Sequence, residues 1–167
     1  MICRKPNRFK DYDYSSAGWY FVTICTNDHK NHFGKIINDK MNLNYVGKIV
    51  YDYWEKIETL HKNVELDCSV IMPNHIHGII IINNVGDVKF ASLTDRTKME
   101  LCKLIQQFKR AVTLKIKSIN HESNFKWQRS FYDRIIRNEK ELFNIRKYIR
   151  QNPTRWIMEK SINNLDI

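Results

Sequence analysis

The chain has 167 residues, 43% of them apolar and 12% aromatic, and 28 Lys and Arg against 18 Asp and Glu give it a net charge of +10. That length and composition predict one globular domain that buries its own core, and exclude a disordered chain. A positive surplus of this size suits a polyanionic partner, nucleic acid above all, and is equally compatible with a merely basic soluble protein.

The four cysteines, Cys3, Cys25, Cys68 and Cys102, are scattered and form no C-x-x-C pair, which argues against a zinc ribbon. In a chain with an adequate core they do not read as a disulfide framework either, so reduced thiols are expected. The N-terminal stretch MICRKPNRFKDYDYSS carries no apolar signal segment, and the longest apolar run, around Gly78 to Ile82, is too short to span a bilayer. A cytoplasmic protein with no membrane partner is expected.

In chain order, residues 1–17 form a basic, tyrosine-rich arm with Arg4, Lys5 and Arg8. Cations interleaved with aromatics suit single-stranded nucleic acid, and an ordinary flexible arm has the same composition. WYFVTICT, after Gly18, is rich in β-branched and aromatic residues and predicts the first strand. The following NDHKNHFGK reads as a loop, with His29 and His32 on the surface. From Asn44 to His61, Val46, Ile49, Val50, Tyr53, Trp54, Ile57 and Leu60 recur at helical spacing. VELDCSVIM (64–72) predicts a second strand, Pro73-Asn74 a turn, and His75 to Ile82 a third strand completing a hairpin.

Residues 83–92 read as a loop. Thr97 to Ile119 repeats the helical pattern, with Lys109 and Arg110 among the cations on its polar side. A solvated face explains those cations as well as a phosphate-tracking one does. Phe125 to Ile136 predicts a fourth strand. Asn138 with Glu141 three residues on forms a capping-box pattern, and the helix it opens is expected to end at Asn152-Pro153. The order β-α-β-β-α-β-α predicts an α+β fold: a single domain with one antiparallel sheet and packed helices, a core over 18–156 and a tail over 157–167.

Two places in this order carry chemistry. His75 and His77 lie two apart on a strand, so both imidazoles project from one face. Two neutral imidazoles side by side make most of a divalent-cation site; a half-buried strand with two hydrogen-bonded histidines has the same spacing. On the last helix, Tyr148 and Asn152 are one turn apart and share a face, beside Arg146, Lys147 and Arg150. A phenol and a carboxamide among cations suit work on a phosphodiester, and a tyrosine edging an apolar stripe is also an ordinary core residue.

MPNHIHGI resembles the His-hydrophobic-His motif of the HUH endonuclease and transposase superfamily, and YIRQNP resembles the catalytic helix of its single-tyrosine transposases. DYDYSSAGWYFVTICT and WQRSFYDRIIRNEKEL are similar to passages of the REP-associated tyrosine transposase branch and its insertion-sequence (IS200-like) relatives. The likeness spans roughly Arg8 to Trp156, with four motifs in the family's order. It implies a ferredoxin- or RRM-like HUH fold, Tyr148 as nucleophile, and Mg²⁺ or Mn²⁺ held by His75, His77 and Asn152. Many members place glutamine at the third ligand, but Gln151 points about 100° away from Asn152 on an ideal helix. Tyr132 is the competing tyrosine, on an expected strand without a polar residue one helical turn away.

The resemblance further implies cleavage and rejoining of single-stranded DNA near imperfect hairpins through a 5′-phosphotyrosine. Arg4, Lys5, Arg8, Lys109, Arg110, Arg146, Lys147 and Arg150 are the expected DNA-binding residues. Insertion-sequence relatives work as homodimers and REP-associated relatives act as monomers, and both states remain open. The alternative is a non-catalytic hairpin-binding module, because β-α-β-β-α-β is also the order of RNA-recognition folds. Against it, the third strand reads HIHGIIII and carries no basic-Gly-aromatic-Gly pattern. A structural metal protein would need a fourth ligand that the sequence does not offer.

Overall fold

The alternating residues of two central strands divide this molecule into two unlike faces. The computed structural model describes residues 18–83 and 98–163. The basic arm with Arg4, Lys5 and Arg8, most of the 83–92 loop and the last four residues lie outside the described residues. Strands β1 (Gly18–Cys25), β4 (Val64–Ile71), β5 (His75–Ile82) and β6 (Tyr132–Ile136) form an antiparallel sheet in the order β4-β5-β1-β6. A separate two-stranded hairpin is made by β2 (Gly34–Ile37) and β3 (Lys40–Leu43). Among the described residues three α-helices pack with these strands: α1 (Tyr45–Leu60), α2 (Lys98–Ile119) and α3 (Glu139–Asn163). The α+β antiparallel architecture expected from the sequence is the one observed.

On one face, Tyr20, Val22 and Ile24 of β1 and Ile76, Ile80 and Ile82 of β5 form a core with Trp54 of α1 and Ile105, Phe108 and Val112 of α2. Gly78 belongs to this face for a steric reason. A Cβ there would lie 2.3 Å from the Trp54 ring, so only glycine leaves room for the indole against β5. Helix α1 starts where Asn44 caps it, its side chain accepting from the Gly47 N–H at 2.9 Å. On the other face, Ile79 and Ile136 cluster with Leu142, Ile145 and Ile149 of α3, with Trp19, Phe21, Cys68, Val70 and Tyr148 packed against them. This smaller cluster leaves the end of the face near His75 and His77 to polar groups.

Several expectations are corrected. The hairpin β2–β3 was not expected; its turn places Asn38 and Asp39 at φ 49° and 59°, which these two residues tolerate better than most. The fourth strand is only five residues, Tyr132–Ile136, and the stretch before it contributes a single bridge between Thr26 and Trp127. Strand β4 carries an irregularity between Leu66 and Ser69. Helix α3 does not end at Asn152 but continues through Pro153 to Asn163. Proline inside a helix removes one hydrogen bond and costs about 3 kcal/mol. The Trp156 ring, 5.7 Å from that of His75, supplies a tertiary contact beyond it that local propensity does not include.

Candidate active site

The site is built where β5 begins. The β4–β5 turn is tight, with the Met72 N–H donating to the His75 carbonyl at 2.8 Å across Pro73-Asn74. His75 and His77 project from the same face, as their spacing requires, and their Nε2 atoms are 3.1 Å apart. Opposite His77 on β1 is Thr23, whose Oγ1 is 2.8 Å from His77 Nδ1. Beside His75, Asn74 Oδ1 accepts the Nδ1–H at 2.6 Å. Asn74 is itself buried, its amide donating to the His29 carbonyl at 2.9 Å and its own carbonyl accepting from the Thr26 N–H and hydroxyl at 2.9 and 3.0 Å. The loop it grips has left-handed Asp28 and His29 (φ 54° and 51°), so irregular backbone is spent on holding one histidine's partner.

Helix α3 closes the site from above. Glu141 N–H donates to Asn138 Oδ1 at 2.9 Å, and the Glu141 carboxylate accepts from the Arg137 N–H and from Arg134. The capping pattern read from the sequence therefore fixes where the helix starts. From that start, Tyr148 Oη arrives 3.3 Å from His77 Nε2, its ring 5.2 Å from the imidazole and edge-on to Phe21. One turn on, Asn152 is buried and hydrogen-bonded to His75, while Gln151 is exposed. Arg155, on the same stripe, holds its guanidinium carbon 5.2 Å from the Tyr148 ring.

Both histidines are neutral at physiological pH. Burial pushes His75 down to about 4, helped by the charge of His29 and opposed by the hydrogen bond that the charged ring donates to Asn152. Burial, with the neighbouring His75, takes His77 to about 3. A neutral His75 whose Nδ1–H is held by Asn74 has a bare Nε2 lone pair, the form a metal ligand needs. Among the described residues no three His, Cys, Asp or Glu side chains converge, so the third donor available is the Asn152 amide. Two imidazoles and an amide fit a hard, exchangeable divalent ion better than a closed zinc site.

The expected DNA-binding residues separate. Arg146 is paired with Asp67 at 2.8 Å and lies over Trp19, and Arg150 is hydrogen-bonded to Cys68, both toward the β4 edge. Lys147 is exposed on α3. Lys109 and Arg110 sit on α2, whose apolar stripe packs on the opposite face of the sheet. Lys109 donates to the carbonyls of Gln128 and Ser130 at 3.0 Å each, and burial lowers its ammonium to about 8. Tyr132 opens β6, is 47% exposed, and lies in register with Thr23 and thus His77, two strand spacings or ~10 Å away. Sequence reasoning missed Thr23, Asn74 and Trp156. Asn74 adjoins His75 and was legible as a polar neighbour; Thr23 needs the strand register.

No protein-family model matches the chain. A Haemophilus influenzae protein named only "Uncharacterized protein" is 39% identical over 162 residues, covering 92% of this chain and 89% of the relative. A second protein of that organism, named "Putative REP-associated tyrosine transposase", is 28% identical over 146 residues, covering 86% of this chain and 74% of its own length. The chain is a relative of the REP-associated tyrosine transposases. Two solved structures share its fold. A REP-associated tyrosine transposase bound to a REP hairpin aligns with TM-score 0.56 at 21% identity, over 89% of this chain and 73% of the other. A putative transposase from Deinococcus radiodurans aligns with TM-score 0.50 at 16% identity, over 86% and 96%.

Proposed function

We propose that this chain cleaves and rejoins single-stranded DNA beside imperfect hairpins, with Tyr148 as nucleophile. The observation that carries the proposal is the placement of Tyr148 Oη 3.3 Å from His77 Nε2 on a single chain, with Asn152 one turn on at His75. The phenol oxygen attacks the phosphorus of a phosphodiester and gives up its proton. The bond from phosphorus to the 3′ oxygen breaks, and that oxygen takes up a proton and leaves as a 3′-hydroxyl. Phosphorus stays on Tyr148 as a 5′-phosphotyrosine. Because one phosphoester replaces another, a 3′-hydroxyl can reverse the attack and join strands without ATP.

A free phenol has a pKa of about 10, so the attack needs help at neutral pH. A divalent Mg²⁺ or Mn²⁺ ion at His75, His77 and Asn152 would supply Lewis acidity toward the scissile phosphate. Phe21, stacked on His77 with ring centroids 5.4 Å apart, and Tyr148 itself wall the imidazole from solvent. Arg155 and the exposed Lys147 and Arg150 offer charge to the strand. The hairpin substrate is proposed from the transposase of similar fold that is bound to one.

The binding-module alternative is less well supported. An RNA-recognition sheet stacks bases on open aromatics, whereas here Trp19 and Phe21 pack with α3. The test is covalent capture: the protein and Tyr148→Phe with labelled single-stranded DNA from the flanks of its own gene, with Mn²⁺ or EDTA, on a denaturing gel. We expect an adduct that needs Mn²⁺ and is lost in the variant. Tight binding without adduct on every flanking hairpin would replace the enzyme with the binding module.

A further inference from the structure

Resting on the reading of the α3 face as a DNA-cleavage site, we propose that Tyr132 is a base-stacking residue that holds one nucleobase of the substrate strand beside the reacting phosphodiester. Its place follows from the register. On β1, Trp19 and Phe21 belong to the α3 face, and on β6 so does Ile136. Side chains alternate along a strand, so Tyr132 and Arg134 project from that same face. Tyr132 is in register with Thr23, and Thr23 with His77. The three form one row across the sheet, with the tyrosine ~10 Å from the histidine at two strand spacings. Arg134 is in register with Phe21, whose ring meets those of His77 and Tyr148.

Strand propensity accounts for an aromatic residue on β6, but not for leaving it open. Helix α3 starts just beyond Ile136 and crosses the sheet through Leu142, Ile145 and Ile149, so Trp19, Phe21 and Ile136 lie under it. The other end of β6 is outside that cover. Tyr132 is 47% exposed, although Phe131 and Ile135, on the α1–α2 face, are buried. An open aromatic in the same row as His77 offers a flat apolar face to a base and tolerates any base there. The charge around it suits a nucleic acid strand. Arg129 and Arg137 are exposed on either side of β6. Arg134 Nε and Nη2 donate to Glu141 Oε1 at 2.7 and 2.6 Å, which fixes the guanidinium, and its side chain is still 68% exposed to a phosphate oxygen. A strand running from the histidines to the β6 edge thus meets an aromatic face for a base and a fixed cation for its backbone. The Tyr132 hydroxyl has no part in this, which separates the role from that of a nucleophile.

The test uses the full chain and single-stranded DNA from the flanks of its own gene, with 2-aminopurine replacing one base at a time beside the hairpin. Binding is followed in EDTA, so that it is read whether or not cleavage occurs. Stacking on an aromatic ring quenches the fluorescence of 2-aminopurine. We expect one position to be quenched by the wild type and by Tyr132→Phe, and not by Tyr132→Ala or Tyr132→Leu. The last two should bind the strand ~5- to 150-fold more weakly, and Tyr132→Phe close to the wild type. Tyr132→Leu keeps an apolar side chain on β6, so binding lost with an unchanged circular dichroism spectrum ties the loss to the aromatic face. Affinity and quenching unchanged in Tyr132→Ala, or lost in Tyr132→Phe as fully as in Tyr132→Ala, would overturn the inference and leave the cleavage reading standing. A wild-type chain that binds none of these strands would remove the cleavage reading, and the inference with it.

Discussion

The two faces of the central sheet are made by the same strands and do opposite work. On the α1–α2 face, Tyr20, Val22, Ile24, Ile76 and Ile80 are wholly buried among apolar side chains. On the α3 face, the alternate positions Thr23, His75 and His77 carry hydrogen bonds to one another's surroundings and to Tyr148. Period-two alternation lets one strand contribute rigidity through its even residues and chemistry through its odd ones. A site held on such a strand is fixed more firmly than one held on loops, because the opposite face packs too closely for the strand to shift.

The comparison breaks most visibly with one substitution on each face. Tyr148→Phe should abolish the covalent adduct and leave the unfolding midpoint near that of the wild type. Trp54→Ala, which empties the space over Gly78, should cost about 3–5 kcal/mol in chemical denaturation. If Tyr148→Phe unfolds the chain as badly as Trp54→Ala does, the division of labour between the faces is wrong.

Acid should weaken the α3 face next. His75 and His77 titrate at about 4 and about 3 when folded, against 6.5 as the ordinary value. Between those limits the unfolded chain binds protons that the folded chain refuses, so stability present above pH 6.5 is lost progressively as pH falls toward 4 and 3. Urea midpoints measured from pH 7 to pH 4 should fall in the wild type and fall less steeply in His77→Gln. An equal slope in the two would mean that the histidine pair does not contribute.

The smallest effect concerns salt. Lys147 is on the tyrosine helix and Arg110 on the helix across the sheet. Lys147→Ala should flatten the dependence of log affinity on log salt for single-stranded DNA by ~0.7, and Arg110→Ala should leave it unchanged. The reverse result would place the strand on the α2 side.

Much of this was legible in the sequence, and the rest was not for physical reasons. The shared face of His75 and His77, the one-turn spacing of Tyr148 and Asn152 and the cap at Asn138 follow from local periodicity alone. The hairpin turn at Asn38-Asp39 is also local, but strands of only four residues each carry too short an alternation to announce it. Helix α3 passing Pro153 could not be read locally, since the contact between Trp156 and His75 joins residues far apart in the chain. Thr23 was hidden for the same reason: only the β1–β5 register sets it opposite His77.

The most direct measurement is to locate the nucleotide on the protein. Lys147 and Arg150 bracket Tyr148, so trypsin releases it in the peptide Tyr148-Ile149-Arg150, and Tyr132 in the separate peptide Ser130–Arg134. Mass spectrometry of the trapped, nuclease-trimmed adduct should find the nucleotide on the first peptide and none on the second. A nucleotide on the Tyr132 peptide would contradict the placement of the chemistry on α3, and would move the nucleophile to the exposed start of β6.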